Sequence, residues 1–345
     1  MIHCDIITFM QNQADMIYGK RILITGGTGS FGKMFIREIL NYSPKEIVVF
    51  SRDEVKQGTM RLEYKNEKRL RFILGDIRDY RSVREAIRGV DIIIHAAALK
   101  WITEVEYNVW DGIKTNILGA QNIIEAAREE SVEKVVALST DKAVEPINAY
   151  GMTKALQERL ITTANLYTTN AKTVFVSTRC GNVLGSRGSV VPLFKSLIGD
   201  FKPITITDSK MTRFMLTLKE SVELVLTALK EGVGGEVFVK KMSAHTIADL
   251  ADAMLSNIPK SKVNIVNIGI RAGEKIHETL ISSSESIRTV EIGNYFVILP
   301  QIETSIITNK YKDLVRLDEL HYSSATAKRL GKDELVQILK AEGWF

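Results

Sequence analysis

Cysteine and histidine are scarce in this chain. Cys4 and Cys180 are the only thiols in 345 residues, so no disulfide framework can be built and no metal-ligand spacing appears. The five histidines fall in no ligand pattern, no metal is implied, and His95, set in an apolar strand, reads as a satisfied core residue. Long apolar runs are lacking too: the opening stretch carries Asp5 and Asp15 and has no basic region ahead of an apolar one, so neither a signal peptide nor a membrane span is expected. Residues 1–18 read as a tail, and the thiol count fits a reducing cytoplasm. No repeat or low-complexity linker is seen. The net charge of +5 is small, with both signs interleaved as in Glu63-Tyr64-Lys65-Asn66-Glu67-Lys68-Arg69. That is a solvated mixed-charge face rather than a nucleic-acid patch, with a slight bias toward an anionic substrate.

With 45% apolar and 25% charged residues the chain can bury a large core. Its first half alternates β-branched runs with amphipathic stretches: strands are expected over 21–25, 46–51, 71–75, 91–96, 134–140 and 173–178, and helices over 31–41, 80–88, 109–130 and 149–167. This alternation predicts an α/β fold, a Rossmann-type doubly wound parallel sheet over residues 19–180. Beyond 180 the pattern loosens. Short runs at 204–207, 236–239 and 263–268 and helical stretches at 218–230 and 246–256 predict a smaller mixed α/β lobe over 181–345, with some segments returning to the first domain.

Thr25-Gly26-Gly27-Thr28-Gly29-Ser30-Phe31-Gly32 directly follows the first strand and opens the first helix. Gly27-x-Gly29-x-x-Gly32 supplies a tight turn, a close approach of backbone to a pyrophosphate and close helix packing, so Gly26, Thr28, Gly29, Ser30, Phe31 and Gly32 are predicted to hold a dinucleotide. At the end of the second strand stand Ser51, Arg52, Asp53, Glu54 and Lys56. Arg52 can fork onto a ribose 2′-phosphate with Ser51 and Lys56 assisting, which favours NADP, while Asp53 leaves NAD open. Asp76, next to Ile77, holds the adenine amino group or else caps a helix starting at Arg78. The small Ala96 and Ala97 let a cofactor lie on the backbone, and Leu138 and Ser139 on the fifth strand complete the expected lining.

The chemistry is concentrated in Thr140-Asp141-Lys142 and Tyr150-Gly151-Met152-Thr153-Lys154. Tyr150 and Lys154, four positions apart, share a helix face on which an ammonium can depress a phenol's pKa and make it a base for alcohol oxidation. Asp141 and Lys142 form a second acid/base pair, more than simple alcohol oxidation requires.

With these residues in place, the chain resembles the extended short-chain dehydrogenase/reductase family of nucleotide-sugar enzymes, through the glycine loop, the Tyr-x-x-x-Lys pair and Asn116 in Lys114-Thr115-Asn116-Ile117-Leu118-Gly119. Within it, the resemblance is strongest to the inverting UDP-N-acetylglucosamine 4,6-dehydratases of pseudaminic acid synthesis, with the related capsule enzymes next. It runs from about Lys20 onward and is carried by Ser51-Arg52-Asp53-Glu54, His95-Ala96-Ala97-Ala98-Leu99-Lys100, Ser139-Thr140-Asp141-Lys142-Ala143, Gly185-Ser186-Arg187-Gly188-Ser189-Val190-Val191-Pro192, Met211-Thr212-Arg213-Phe214 and Arg271-Ala272-Gly273-Glu274-Lys275. Two positions depart from it: Cys180 stands where the group has an aromatic residue, and Trp101 where it has a smaller polar or imidazole side chain. Both are expected to reshape the sugar pocket.

The resemblance implies oxidation at C4, elimination of water across C5 and C6, and return of hydride to C6, with a tightly bound NADP regenerated each turnover. Tyr150 takes the C4 hydroxyl proton with Lys154 beside it, and Thr140 bonds the C4 oxygen. Lys142 removes the C5 proton and Asp141 protonates the leaving C6 hydroxyl. Retaining relatives have Asp-Glu where this chain has Asp141-Lys142, so the lysine argues for inversion at C5. The product would be UDP-2-acetamido-2,6-dideoxy-β-L-arabino-hex-4-ulose, for surface glycan. Arg187, Arg213 and Arg271 are expected to clamp the UDP diphosphate, with Lys100, Asn182, Val183, Ser189, Val190, Thr207 and Glu274 as further substrate contacts and Lys100 also near the cofactor phosphates. A homo-oligomer, dimer or hexamer, is implied, and no nucleic-acid or membrane partner. The competing readings are a C4 epimerase or retaining dehydratase on another UDP-sugar, and an NADP-sensing protein without catalysis.

Overall fold

The β-branched runs of the first half pair in parallel because each is apolar on both faces. The structure is a computed structural model that describes residues 15–167, 173–256 and 263–345. Its first six strands are β1 (Arg21–Thr25), β2 (Glu46–Ser51), β3 (Leu70–Leu74), β4 (Ile92–His95), β5 (Lys134–Thr140) and β6 (Val174–Cys180). Along β1, Ile22 and Ile24 enter one core and Leu23 the other; Ile47 and Val49 divide from Val48 and Phe50 along β2 in the same way. Covered faces and near-continuous apolar strands are the signature of a parallel sheet sheathed by helices.

Then come β7 (Asn182–Val183), β8 (Ile204–Ile206), β9 (Thr212–Leu216), β10 (Val237–Lys240), β11 (Ala244–Thr246), β12 (Ile265–Asn267), β13 (Thr279–Ile281), β14 (Thr289–Ile292), β15 (Tyr295–Ile298) and β16 (Tyr322–Ser323). Among the described residues the main sheet has nine strands in the order β14-β15-β10-β6-β5-β4-β1-β2-β3. The fold is the α/β doubly wound type expected. Across residues 19–180 the sheet is parallel as expected, and two strands from beyond 180 add to it antiparallel, β15 on β10 and β14 on β15. This hairpin, joined by a turn with Gly293 at a φ of +55°, was not anticipated. The smaller lobe has its own core, including Leu184, Phe194, Ile204, Leu250, Leu335 and Leu339. At the other end, Ile17, within the stretch read as tail, is fully buried in the main core.

The helix predicted over 109–130 is not continuous: Val109–Gly112 runs into a π-helical stretch, Ile113–Leu118, before Gly119–Glu129. The reason lies in Asn116, fully buried inside that stretch, whose amide accepts from Leu99 N (2.8 Å) and donates to Leu99 O (3.0 Å) and Thr153 Oγ1 (2.9 Å). Widened turns of this kind admit a side chain that an α-helix would misplace. The helix Ala149–Thr163 starts under an Asn148 cap whose Oδ1 accepts from Gly151 N at 2.7 Å.

Candidate active site

The strand order reverses between β1 and β4, which opens a crevice beyond their carboxyl ends. There Thr25 Oγ1 accepts from Ala96 N and Ala97 N, both at 3.1 Å, and binds His95 Nδ1 at 2.9 Å; His95 is buried in the core as expected, but not fully satisfied, since its Nε2 has no partner among the described residues. Gly26 has a φ of +65°, and a β-carbon on it would stand 3.0 Å from the Ala97 backbone. One on Gly32 would stand 2.5 Å from Gly27 O, so the third glycine serves close packing of helix on loop. The helix Ser30–Ile39 has Gly29 as its N-cap and no side-chain cap, which leaves its amino end open to an anion. Gly26, Thr28, Gly29, Ser51, Arg52, Asp53, Lys56, Asp76, Ile77, Ala96 and Ala97 line one cleft, and this cradle fits a dinucleotide.

Asp53 caps the helix Glu54–Glu63 and binds the Lys56 ammonium, which with the Lys56 backbone amide holds its carboxyl below the usual range. Glu54 is exposed on that helix's first turn. Arg52 approaches Asp76 at 3.8 Å and also acts on the more distant Asp111. Asp76 does not cap a helix starting at Arg78: the helix is Tyr80–Ile87, and Asp79 caps it. Instead Asp76 is forked by Arg78 (Nε 3.0 Å, Nη2 2.6 Å); burial pushes its carboxyl up, but Arg78 and Arg52 hold it low. Arg187 joins this same cleft, its backbone N–H donating to Ser30 Oγ at 3.0 Å. Expected at the substrate diphosphate, it stands at the dinucleotide cradle because its loop folds over the first helix. Two indoles back that loop: a β-carbon on Gly188 would stand 2.6 Å from Trp101 Nε1, and Gly185 abuts Trp344. Lys100 reaches the loop at Ser186 Oγ (3.5 Å).

The second group gathers where β5 and β6 end. Asp141-Lys142-Ala143 form a short 3-10 turn after β5, and Thr140 Oγ1 donates to Asp141 Oδ1 at 2.9 Å. Lys142 Nζ lies 3.0 Å from Asp141 Oδ1 and 3.1 Å from Glu278 Oε1. Burial alone would lower Lys142's pKa, but the two carboxylates reverse this and raise it, while burial raises Asp141's. The buried Tyr150 is pushed up to about 12 by desolvation, with Lys142 and Thr140 pulling the other way.

Tyr150 and Lys154 do share a helix, yet the cation that acts on the phenol is Lys142. Lys154 Nζ instead donates to Leu138 O (2.6 Å) and Gln157 Oε1 (2.5 Å), and burial brings its pKa down to about 7. The expected depression of the phenol by Lys154 is therefore corrected, since a buried amine must satisfy its donors with the nearest acceptors. Asn116 likewise braces the wall behind the cleft, its amide already engaged. Cys180 closes β6 beside these groups, its thiol pushed up to about 12 by burial.

Arg213 is corrected as a diphosphate clamp. Its buried guanidinium donates to the carbonyls of Thr212 (2.7 Å), Lys275 (3.0 Å) and Ile276 (3.1 Å), so it fastens the segment leading to Glu278. Arg271 is half exposed and reaches Glu274 only at 4.0 Å. Thr207 Oγ1 bonds Met211 Sδ at 3.3 Å. Asn182 and Val183 form β7, and Ser189 is the N-cap residue of the helix opening at Val190. Ser139 Oγ, Asp141 Oδ2, Asn182 Oδ1, Ser189 Oγ and Glu278 Oε2 are buried polar atoms without a partner among the described residues. Buried polar atoms are normally paired, so unpaired ones here are candidates for ligand contact.

Sequence reasoning missed Glu278, although it stands three residues past the quoted Arg271-Ala272-Gly273-Glu274-Lys275 segment. It also missed Arg179 on β6, whose guanidinium binds Glu158 (2.6 Å) and Glu285 (2.7 Å), all three buried. Periodicity does not register a charge pair formed across a core.

Residues 22–300 match the family described as polysaccharide biosynthesis protein. The UDP-N-acetylglucosamine 4,6-dehydratase (inverting) of Campylobacter jejuni subsp. jejuni serotype O:23/36 (strain 81-176) is 48% identical over 290 residues, covering 84% of this chain and 85% of that protein. A protein named UDP-glucose 4-epimerase from Rickettsia bellii (strain RML369-C) is 45% identical over 333 residues, covering 94% of this chain and 96% of that one. Among solved structures, Pen from Bacillus thuringiensis superposes with a TM-score of 0.88 at 37% identity, covering 94% of this chain and 99% of Pen.

Proposed function

As the chain belongs to the polysaccharide biosynthesis protein family, we propose that it is a UDP-N-acetylglucosamine 4,6-dehydratase that inverts C5, a hydro-lyase of nucleotide-sugar metabolism. The observation that carries this reading is the buried Asp141–Lys142 ion pair beside Tyr150. An epimerase at C4 needs one base to move the hydroxyl proton; elimination across C5 and C6 needs a second base and an acid. The presence of Asp141 and Lys142 in addition to Tyr150 favours the dehydratase over the epimerase that the 45% identical relative is named for.

Gly26, Thr28, Gly29, Ala96 and Ala97 would hold a nicotinamide dinucleotide, which when bound would supply the hydride acceptor and later the donor. Arg52, half exposed and no nearer than 3.8 Å to Asp76, favours NADP through the 2′-phosphate, with Ser51 beside it. Tyr150, once ionised to the phenolate, accepts the C4 hydroxyl proton, and Thr140 bonds the C4 oxygen. Lys142 then takes the C5 proton, and Asp141 gives its own to the departing C6 hydroxyl. Asn182 and Ser189, with unpaired buried oxygens, hold the sugar, and Arg271 is the cation left for the diphosphate. We propose a cytoplasmic homo-oligomer joined along the exposed Trp110, Leu118, Met152 and Leu156. Among the described residues no helix is long and apolar enough to cross a membrane.

NMR of the purified protein with UDP-N-acetylglucosamine in heavy water tests the reading. A 6-deoxy-4-keto sugar deuterated at C5, with the L configuration there, is expected. A product changed only at C4, with no deuterium at C5, would assign an epimerase instead.

A further inference from the structure

The Lys142 ammonium lies between two carboxylates rather than beside one. Glu278 Oε1 is nearly as close to it, at 3.1 Å, as Asp141 Oδ1 is at 3.0 Å, and the two come from segments far apart along the chain. Asp141 follows β5, while Glu278 precedes β13, in the smaller lobe's part of the chain. Glu278 is held from both sides: its backbone N–H donates to Ser324 Oγ at 2.9 Å and its carbonyl accepts from Ser324 N at 2.7 Å. The Arg213 guanidinium, which fastens the preceding carbonyls, stands 3.8 Å from Oε1. The Glu278 side chain is 2% exposed, and its Oε2 has no partner. A buried carboxylate placed against a second carboxylate is unfavourable unless it acts on the cation between them.

We propose that Glu278 is a positioning residue of the acid/base group, which fixes Lys142 and decides where the proton shared by Asp141 and Lys142 resides. The inference rests on the dehydratase reading. Elimination starts from the tautomer with neutral Lys142 and protonated Asp141. The C5 proton moves to Lys142 Nζ, the C5–H electron pair becomes the C5–C6 double bond, and the C6–O bond breaks as its oxygen takes the proton of Asp141 and leaves as water. The pair ends as ammonium and carboxylate, the state that Glu278 stabilises, so Glu278 favours the forward direction of proton capture. The titratable and charged groups facing this pair are Glu278, Tyr150, Cys180, Arg213, Lys275 and Lys100. Of these Glu278, the phenol and the thiol can contribute negative charge, and burial pushes the latter two up to about 12, which leaves Glu278 as the anion near neutral pH. Lys142 and Arg213 hold Glu278's own carboxyl low against the burial that would raise it.

The test compares Glu278→Gln, which keeps the shape and removes the charge, with Glu278→Asp, which keeps the charge and shortens the reach. For turnover of UDP-N-acetylglucosamine, Glu278→Gln is expected to lower kcat about tenfold or more. It should also move both limbs of the kcat–pH profile to lower pH by about one unit or more, since the lost anion had favoured protonation of the pair. Glu278→Asp should retain the wild-type pH optimum. A merely structural glutamate would leave the profile of the folded variant unmoved, and that result would overturn the proposal. Titration of Lys142 by nitrogen-15 NMR in cofactor-free protein needs no substrate: Glu278→Gln must lower its pKa, and an unchanged value would overturn the proposal even if the dehydratase reading failed. A wild-type protein inert toward the sugar nucleotide, with the Lys142 titration shifted as stated, would remove the dehydratase reading and leave Glu278's control of the proton standing.

Discussion

Gly151 lies so close to the carbonyl oxygen of Lys142 that no β-carbon fits between them; one there would also stand 3.1 Å from Pro146 Cβ and 3.2 Å from Asn148 Oδ1. The first turn of the helix that carries Tyr150 is thereby pressed onto the turn that carries Asp141 and Lys142. Gly151→Ala should push these two segments apart and lower kcat by about tenfold to a hundredfold, because small displacements of aligned groups are costly. Cofactor content, measured by absorbance of the purified protein, should stay unchanged, since the glycine cradle is elsewhere.

Tyr150 is expected to titrate near about 12 in the cofactor-free protein, with burial holding the phenol neutral and Lys142 opposing it. Ultraviolet difference titration against Tyr150→Phe isolates this transition. Lys142→Met should move it further up by removing the cation, whereas a downward shift would contradict the geometry. In turnover, Tyr150→Phe should cost about 10²- to 10⁴-fold in kcat, the usual worth of a positioned base.

Lys154 gives a stability effect whose sign follows from its lowered pKa. Its value falls from 10.5 in the unfolded chain to about 7 in the fold, so the folded state disfavours the ammonium. The penalty is absent above the unfolded value and complete below the folded one. Relative to Lys154→Met, the wild-type protein should therefore lose stability as pH falls through that window. Thermal unfolding of both cofactor-free proteins at the two ends of the window measures the difference; the lost bonds to Leu138 and Gln157 add an offset that does not vary with pH.

Arg179→Met strands the buried Glu158 without its cation and leaves Glu285 with Arg288 alone, 3.2 Å from its Oε1. Burial pushes Glu285 up, yet Arg179 and its hydrogen bonds bring it down to about 2. Removing one partner of such a buried group costs roughly 3–5 kcal/mol. Denaturant unfolding should show a loss of that size, with the m-value unchanged.

Arg52→Ala should weaken NADP binding by about tenfold to a hundredfold, the worth of a charge-assisted contact to phosphate, while leaving NAD binding nearly as it was. Calorimetric titration of the cofactor-free protein with each dinucleotide gives the ratio. Equal loss for both would place Arg52 away from the 2′ position.

The strands β1 to β6 and the glycine loop could be read from the chain because their signals are local. Runs such as Ile92-Ile93-Ile94 announce a strand buried on both faces, and Gly26 to Gly32 announce a turn that only glycine can make. Errors arose where a neighbour overrides local pattern. The π-helical turn exists because the Asn116 amide reaches Leu99, and the hairpin β14–β15 pairs with β10 across a long stretch of chain. Arg213 read as a free cation until the carbonyls of Lys275 and Ile276 took its donors.

Sequence by itself determined the α/β class, the glycine loop after the first strand and the adjacency of Asp141 and Lys142, since each depends on residue type and spacing within a few turns of chain. Tertiary structure alone decided which charges act on one another. It turned Lys154 onto Leu138, moved Arg187 to the cofactor cleft, and set Glu278 against Lys142. Electrostatic coupling depends on distance and desolvation through space, and neither is encoded in separation along the chain.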